Sequence, residues 1–257
     1  MVEPVYTPVI AVARGFFAGL GLRFTITGQE HVPRSGGAVL AMNHIGYLDF
    51  ALCGFALRPR QRVVRFMAKK EVFDHRVSGP LMRGMKHIPV DREAGAGSFG
   101  AAVEACRRGE IVGVFPEATI SQSFELKGFK SGAARMAADA GVPLLPMVVW
   151  GSQRLMTKGR PRDFTRGTPI RIVIGEPLRT QPGDDAAAVT AQLKTAMQAL
   201  LEQARSTYAG SPRSPQDTWW IPAALGGTAP TLLEADERDR LERAARVQER
   251  AARRRAH

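Results

Sequence analysis

The sequence predicts an α/β fold: a mainly parallel central sheet with helices on both faces, an N-terminal amphipathic helix and a C-terminal charged helix. Three observations carry that expectation. Short apolar, β-branched runs alternate with helical patterns along most of the 257 residues, as strands joined by helical crossovers do. Several of those runs are apolar almost throughout, as strands of a buried parallel sheet are. Polar residues able to do chemistry then fall just after strands, where the sites of such sheets collect.

The elements follow in order. "PVIAVARGFFAGLGL", residues 8–22, is a helix too short to span a bilayer. It either packs on the domain or lies in a membrane interface with Arg14 reaching for phosphates. "RFTITG" alternates and ends in a glycine turn, so it reads as a strand. "GGAVLAMN" is a buried strand, and "YLDFALCGFAL" is the helix after it. "RVVRFMAKK" and "HIPVDR" are strands flanking a helix around "GPLMRGM". "SFGAAVEACRRG" is a helix with Ser98 as N-cap and Gly109 as its stop. "IVGVFPEAT" is a strand running into a loop, "GAARMAADAG" a helix, and "PLLPMVVWG" and "PIRIVIGEPL" are strands. "DDAAAVTAQLKTAMQALLEQARSTY" is a long amphipathic helix with Val189, Leu193, Met197 and Leu200 at helical spacing.

Composition shifts near Gly210, which suggests three regions: an interfacial helix over 1–24, the main domain over 25–209, and an arm with a basic helical tail over 210–257. In the arm, Trp219 and Trp220 are either core anchors or an interfacial aromatic belt. The tail from Arg243 carries six Arg and one Glu. It either binds anionic lipid or is a solvated helix end.

The formal charge is +12, a field that suits an anionic partner. Ten Lys and Arg stand against three acids between Arg58 and Arg92, a stretch that reads as an anion-facing rim or as a solvated surface. No zinc-finger, recognition-helix or aromatic ribonucleoprotein pattern appears, so nucleic acid is not expected. No Cys/His cluster has metal spacing. Cys53 and Cys106 lie in apolar stretches and read as buried free thiols. No apolar run is long enough to span a membrane, and no secretory leader pattern is recognised.

The chemistry concentrates in four stretches. "NHIGYLD" places His44 after a strand and Asp49 about one helical turn on. A carboxylate on one imidazole nitrogen fixes the tautomer and leaves the other as a base. No "GxSxG" nucleophile accompanies the pair, so the base would act on a substrate hydroxyl. Lys69 and Lys70 follow one strand, Arg92 another, and Glu117 and Thr119 a third. Cations converging at strand ends make an anion site, and a carboxylate there can hold a glycerol-type hydroxyl.

The order of these stretches, NH-x4-D, Lys-Lys-Glu, Ile-Pro-Val-Asp-Arg, Phe-Pro-Glu-x-Thr and Val-Pro-Leu-Leu-Pro, resembles the glycerolipid acyltransferase family over roughly residues 25–180. Its best-known members are the 1-acylglycerol-3-phosphate acyltransferases. The resemblance implies that His44 deprotonates a glycerol hydroxyl, oriented by Asp49, for direct attack on an acyl thioester. It implies that Arg92, with Lys69 or Lys70, holds the acceptor phosphate. Glu117, Thr119 and Lys130 would shape the acceptor site, and Pro143 and Pro146 would lie near the acyl chain. The implied acceptor is a lysophospholipid and the donor acyl-CoA or acyl-carrier protein. No cofactor or metal is implied, and the setting would be the cytoplasmic face of a membrane, peripheral or monotopic. One position departs from the pattern: the third motif usually reads Glu-Gly-Thr-Arg, and here Ala118 and Ile120 replace the Gly and the Arg. Lys127, Lys130, Arg135 and, in the second motif, His87 are the candidate cations for the missing Arg.

Overall fold

Among residues 3–90 and 95–255, which the computed structural model describes, seven strands form one sheet in the order β1-β7-β6-β2-β5-β3-β4. The strands are β1 (Arg23–Thr27), β2 (Ala38–Met42), β3 (Val64–Lys69), β4 (Ile88–Val90), β5 (Ile111–Val114), β6 (Leu144–Trp150) and β7 (Pro169–Ile174). The helices are α1 (Tyr6–Gly19), α2 (Asp49–Ala56), α3 (Lys70–Asp74), α4 (Ser78–Gly84), α5 (Gly95–Arg107), α6 (Gly132–Ala140), α7 (Ala186–Ser206) and α8 (Leu232–Arg255). The predicted α/β class is what the chain adopts.

β2 is buried along its whole length, with β5 and β6 parallel on either side. On one face Leu40, Met42, Leu145 and Met147 pack with Phe17 of α1 and with Leu52, Cys53 and Ala56 of α2. On the other face Pro146 of β6 points toward Gly175 and Leu200 of α7, so closely that a Cβ at Gly175 would come within 2.9 Å of both. Helices therefore cover both faces, and the central strands must be apolar on both sides.

The sheet is mainly parallel, as expected. The exception is β7, which runs antiparallel to β6; the connection over 151–168 holds a single 3-10 turn, Ser152–Arg154, and no helix that carries the chain back across the sheet. Ser98 is not an N-cap, since α5 already begins at Gly95. The Asp185 cap at the start of α7 does form, accepting the N–H of Ala187 at 2.9 Å.

Two compact units are distinguished. The larger runs through Ile120 and again over Gly128–Gly210; the smaller gathers Ser121–Lys127 with the chain from Ser211 onward. Within the smaller unit Trp220 is buried and Trp219 meets Phe124 edge-on. Lys127 is buried there and paired with Asp236 at 2.7 Å and Asp239 at 2.5 Å.

Candidate active site

β2, β5, β3 and β4 are parallel neighbours, so their carboxyl ends share one edge. The register sets Ala41 beside Val114 and Lys69 beside Val90. His44, Glu117 and Lys69 thus all leave the sheet at that edge, with successive strands about 4.8 Å apart.

The chain peels from the sheet at Asn43 and His44, and side chains take over from the backbone ladder. Asn43 is buried and its amide bonds both ways to Val149 of β6, donating at 3.0 Å and accepting at 2.8 Å. On the β5 side, the N–H of His44 donates to Glu117 Oε1 at 2.9 Å. The following turn is gathered by Asp49, the first residue of α2. Its Oδ2 accepts the N–H of Ile45 at 2.7 Å, the N–H of Gly46 at 2.8 Å and the His44 ring at Nδ1, 3.0 Å away. A carboxylate at a helix N-terminus also sits in the favourable end of the helix dipole. Thr157 closes the turn from outside, its hydroxyl donating to the Ile45 carbonyl at 2.6 Å. Gly46 lies so close to Ser152 and Met156 that a Cβ would meet backbone at 3.1 Å.

The His44 ring stacks on Phe115, centroids 4.1 Å apart. Asp49 is wholly buried, whereas the His44 side chain is 21% exposed. With Nδ1 engaged by the carboxylate, Nε2 is the nitrogen left to meet a substrate; among the described residues it has no hydrogen-bond partner. Such a pair can fix the tautomer of the ring and leave Nε2 able to take a proton.

The other predicted site residues distribute unevenly. Thr119 is half-buried on the Glu117 turn, and Lys69 is exposed at the end of β3. Lys70 is exposed and pairs with Asp74 at 3.0 Å. Lys130 is tied to the site by its backbone, its N–H donating to Pro116 at 2.9 Å, while its side chain is exposed. Arg92 lies outside the described residues. Pro143 stands at the amino end of β6, the edge of the sheet away from His44, where its carbonyl accepts the N–H of Val39. Pro146 is buried in mid-strand, so neither proline is brought to His44. Ala118 takes φ +58, a left-handed conformation costing a non-glycine residue about 1–2 kcal/mol. Ile120 is buried.

Several cations named from the sequence are engaged in the fold. Arg60 donates to the Val32 carbonyl, Arg62 to those of Pro33, Gly36 and Gly109, and Arg83 to that of Phe73. Arg65 is buried between Glu3 and Glu110. Lys127 is buried in its own ion pairs, and Arg135 lies over the Phe99 ring. His87 is no cation near neutrality. Burial, with Arg65 beside it, lowers its pKa to about 4, and its Nδ1 accepts the N–H of Phe66 at 3.0 Å.

The His87 shift has a consequence for stability. The unfolded chain protonates this imidazole near pH 6.5 and the folded chain only near 4, so its contribution is complete above 6.5 and lost as pH falls. Wild type is expected to lose about 2 kcal/mol from this source between pH 7 and pH 5. Urea midpoints at both pH values check this. His87→Gln should shrink the difference by that amount; an unchanged difference would show that His87 is not responsible.

Residues 23–150, which span β1 through β6, match the family model described as Acyltransferase. The 1-acyl-sn-glycerol-3-phosphate acyltransferase of Bacillus subtilis is 33% identical over 136 residues, 51% of this chain and 66% of that protein. Its counterpart in Borreliella burgdorferi is 26% identical over 145 residues, 54% of this chain and 55% of that protein. The matches thus span just under two thirds and about half of those two proteins. In fold, the chain is similar to the crystal structure of the 1-acyl-sn-glycerophosphate acyltransferase from Thermotoga maritima. The TM-score is 0.67, with 22% identity over 79% of this chain and 81% of that one. With the NH-x4-D turn seated inside the matched region, this chain belongs to the acyltransferase family.

Proposed function

We propose that the chain is a membrane-associated O-acyltransferase. It moves a fatty acyl group from acyl-CoA or acyl-carrier protein to the sn-2 hydroxyl of lysophosphatidate, giving phosphatidate. The observation that carries this reading is the His44 ring held at Nδ1 by buried Asp49, with Nε2 left for a substrate. The names of the relatives, 1-acyl-sn-glycerol-3-phosphate acyltransferases, support the acceptor and the reaction.

In this reading the acceptor hydroxyl gives its proton to His44 Nε2 as its oxygen attacks the thioester carbonyl. A C–O bond forms and the carbonyl π electrons move to oxygen. Collapse of that adduct breaks the C–S bond, and the imidazolium returns the proton to the departing thiolate. Asp49 keeps Nδ1 protonated and stabilises the transient imidazolium. Lys69, Lys70, Arg92 and Lys130 would supply positive charge for the acceptor phosphate, and Thr119 would help shape that site. No acyl-enzyme on cysteine is needed. Burial, and then Asp49 nearby, push the Cys53 thiol well above its ordinary range; burial pushes Cys106 up to about 12.

A second reading changes only the acceptor, to another lysophospholipid or a glycolipid. It is favoured by Ile120, buried and apolar where the third motif usually carries Arg. Thiol release from palmitoyl-CoA in detergent, with lysophosphatidate against a panel of acceptors and against none, tests both. Release that needs lysophosphatidate is the expected result. A different acceptor winning would move the substrate, and no release with any acceptor, CoA or carrier-protein donor alike, would overturn the activity.

Membrane association is supported by α1. No described helix is long and apolar enough to cross a membrane. Yet α1 exposes Pro8, Ala11, Val12, Gly15, Phe16 and Gly19, which recur at the spacing of a single helix face. Val12 is 75% exposed and Phe16 41%. Tyr47 and Phe50, on the turn that holds His44, are exposed as well. We place this surface at the cytoplasmic face of the membrane. Phe16→Glu is expected to lower binding to vesicles of mixed neutral and anionic lipid at least about fivefold by flotation, since one buried aromatic contributes roughly 1.5–3 kcal/mol. Binding unchanged by Phe16→Glu would remove α1 from the contact.

A further inference from the structure

We infer that Glu117 is a positioning residue for His44, acting through the backbone of that residue, rather than a ligand for the acceptor. The inference rests on the general-base reading of His44 given above. Its ground is the 2.9 Å bond from the His44 N–H to Glu117 Oε1, made by a carboxylate that is itself only 6% exposed. The β2 ladder ends at Ala41 toward Val114 of β5 and at Met42 toward Met147 of β6. Beyond them nothing in the sheet ladder holds His44 to its neighbours. Asn43 fixes the chain toward β6 through both atoms of its amide, and Glu117 fixes it from the β5 side. The ring is fixed separately, by Asp49 at Nδ1 and by Phe115 beneath it.

Glu117 is suited to this because its own loop is pinned. The N–H of Ala118 closes a turn onto the Phe115 carbonyl at 3.0 Å, and the N–H of Lys130 holds the Pro116 carbonyl at 2.9 Å. A pinned acceptor can set a donor to within the few tenths of an ångström that proton transfer requires. Phe115 and Glu117 also leave the same strand end, so one loop sets both the floor under the imidazole and the anchor of its backbone. A sheet-end carboxylate that takes a main-chain N–H needs an acceptor oxygen there. It does not need a titrating group, and this separates the two roles.

The experiment compares wild type, Glu117→Gln and Glu117→Ala, each checked for folding by circular dichroism. It measures kcat, KM for lysophosphatidate, and the pH profile of kcat. Removing a charge-assisted bond to the His44 backbone is expected to lower kcat about 10- to 100-fold in Glu117→Ala, with KM within about threefold. Glu117→Gln keeps an acceptor oxygen, so it should recover most of that loss and keep the acid limb of the profile where wild type has it. Three results would overturn the inference. One is a folded Glu117→Gln as impaired as the Ala variant. Another is a large KM rise with kcat kept. The third is a Glu117→Ala within about twofold of wild type. If the Ala variant does not fold, Glu117→Gln decides alone: a kcat more than about tenfold below wild type, or a large KM rise with kcat kept, would overturn the inference. A wild type that forms no phosphatidate defeats the activity and this inference together, whereas an active wild type with the wrong variant pattern defeats the inference only.

Discussion

His44→Ala is expected to lower turnover about 10²- to 10⁴-fold, the range a positioned general base contributes, with KM for the acceptor little changed. Among the described residues the ring makes one side-chain hydrogen bond, to Asp49, and stacks on Phe115. Losing it opens a small, partly exposed space and leaves the backbone bond to Glu117 in place. Stability should therefore stay within about 1 kcal/mol of wild type by denaturant midpoint. A stable, correctly folded His44→Ala protein that turns over at the wild-type rate would remove His44 from the chemistry.

Asp49 is expected to show the second large effect, and its two substitutions should differ in kind. Asp49→Asn keeps an oxygen for the N–H groups of Ile45 and Gly46. That oxygen is also the one facing His44 Nδ1, so Asn keeps the tautomer and removes the negative charge that stabilises the imidazolium. Losing that charge is expected to lower turnover by about 10²-fold, the low end of what a positioned general base contributes. Asp49→Ala removes the same carboxylate and also strands two backbone N–H groups, at about 1–3 kcal/mol each where no water reaches them. Asn should thus be impaired near wild-type stability, while Ala should be both impaired and clearly destabilised. Kinetics beside urea unfolding separate them. Equal activity of Asp49→Asn and wild type would mean that the charge of this residue plays no part in turnover.

Much of the fold was legible because the central strands are apolar on both faces. "AVLAM" and "LLPMVVW" are buried at every position, which is how they read from residue type alone. The direction of β7 was not legible. Direction depends on what connects β6 to β7, and the loop 151–168 carries no periodic signal. The His44–Asp49 pair was legible because both partners lie within one turn, so spacing nearly determines contact. Partners distant in sequence were harder to read. The bond from Glu117 to His44 joins two strand ends 73 positions apart, and residue type suggested a ligand for substrate instead. Asn43 gave a signal beside His44, an amide just past a buried strand, but its partner Val149 could not be named without the strand order. The basic run from Arg58 misled for a different reason. Composition counts charge but not its engagement, and Arg60, Arg62, Arg65 and Arg83 face carbonyls or carboxylates inside the fold. His87 failed likewise, since only its burial makes it neutral.

The most direct test of the central claim is phosphatidate formation from 1-acyl lysophosphatidate and palmitoyl-CoA, counted by mass spectrometry beside free thiol, for wild type and His44→Ala in parallel. The account predicts one phosphatidate per thiol released by wild type, no release without acceptor, and at least about a 10²-fold lower rate in the variant. Thiol release that runs without acceptor, or phosphatidate formed by His44→Ala at the wild-type rate, would contradict it.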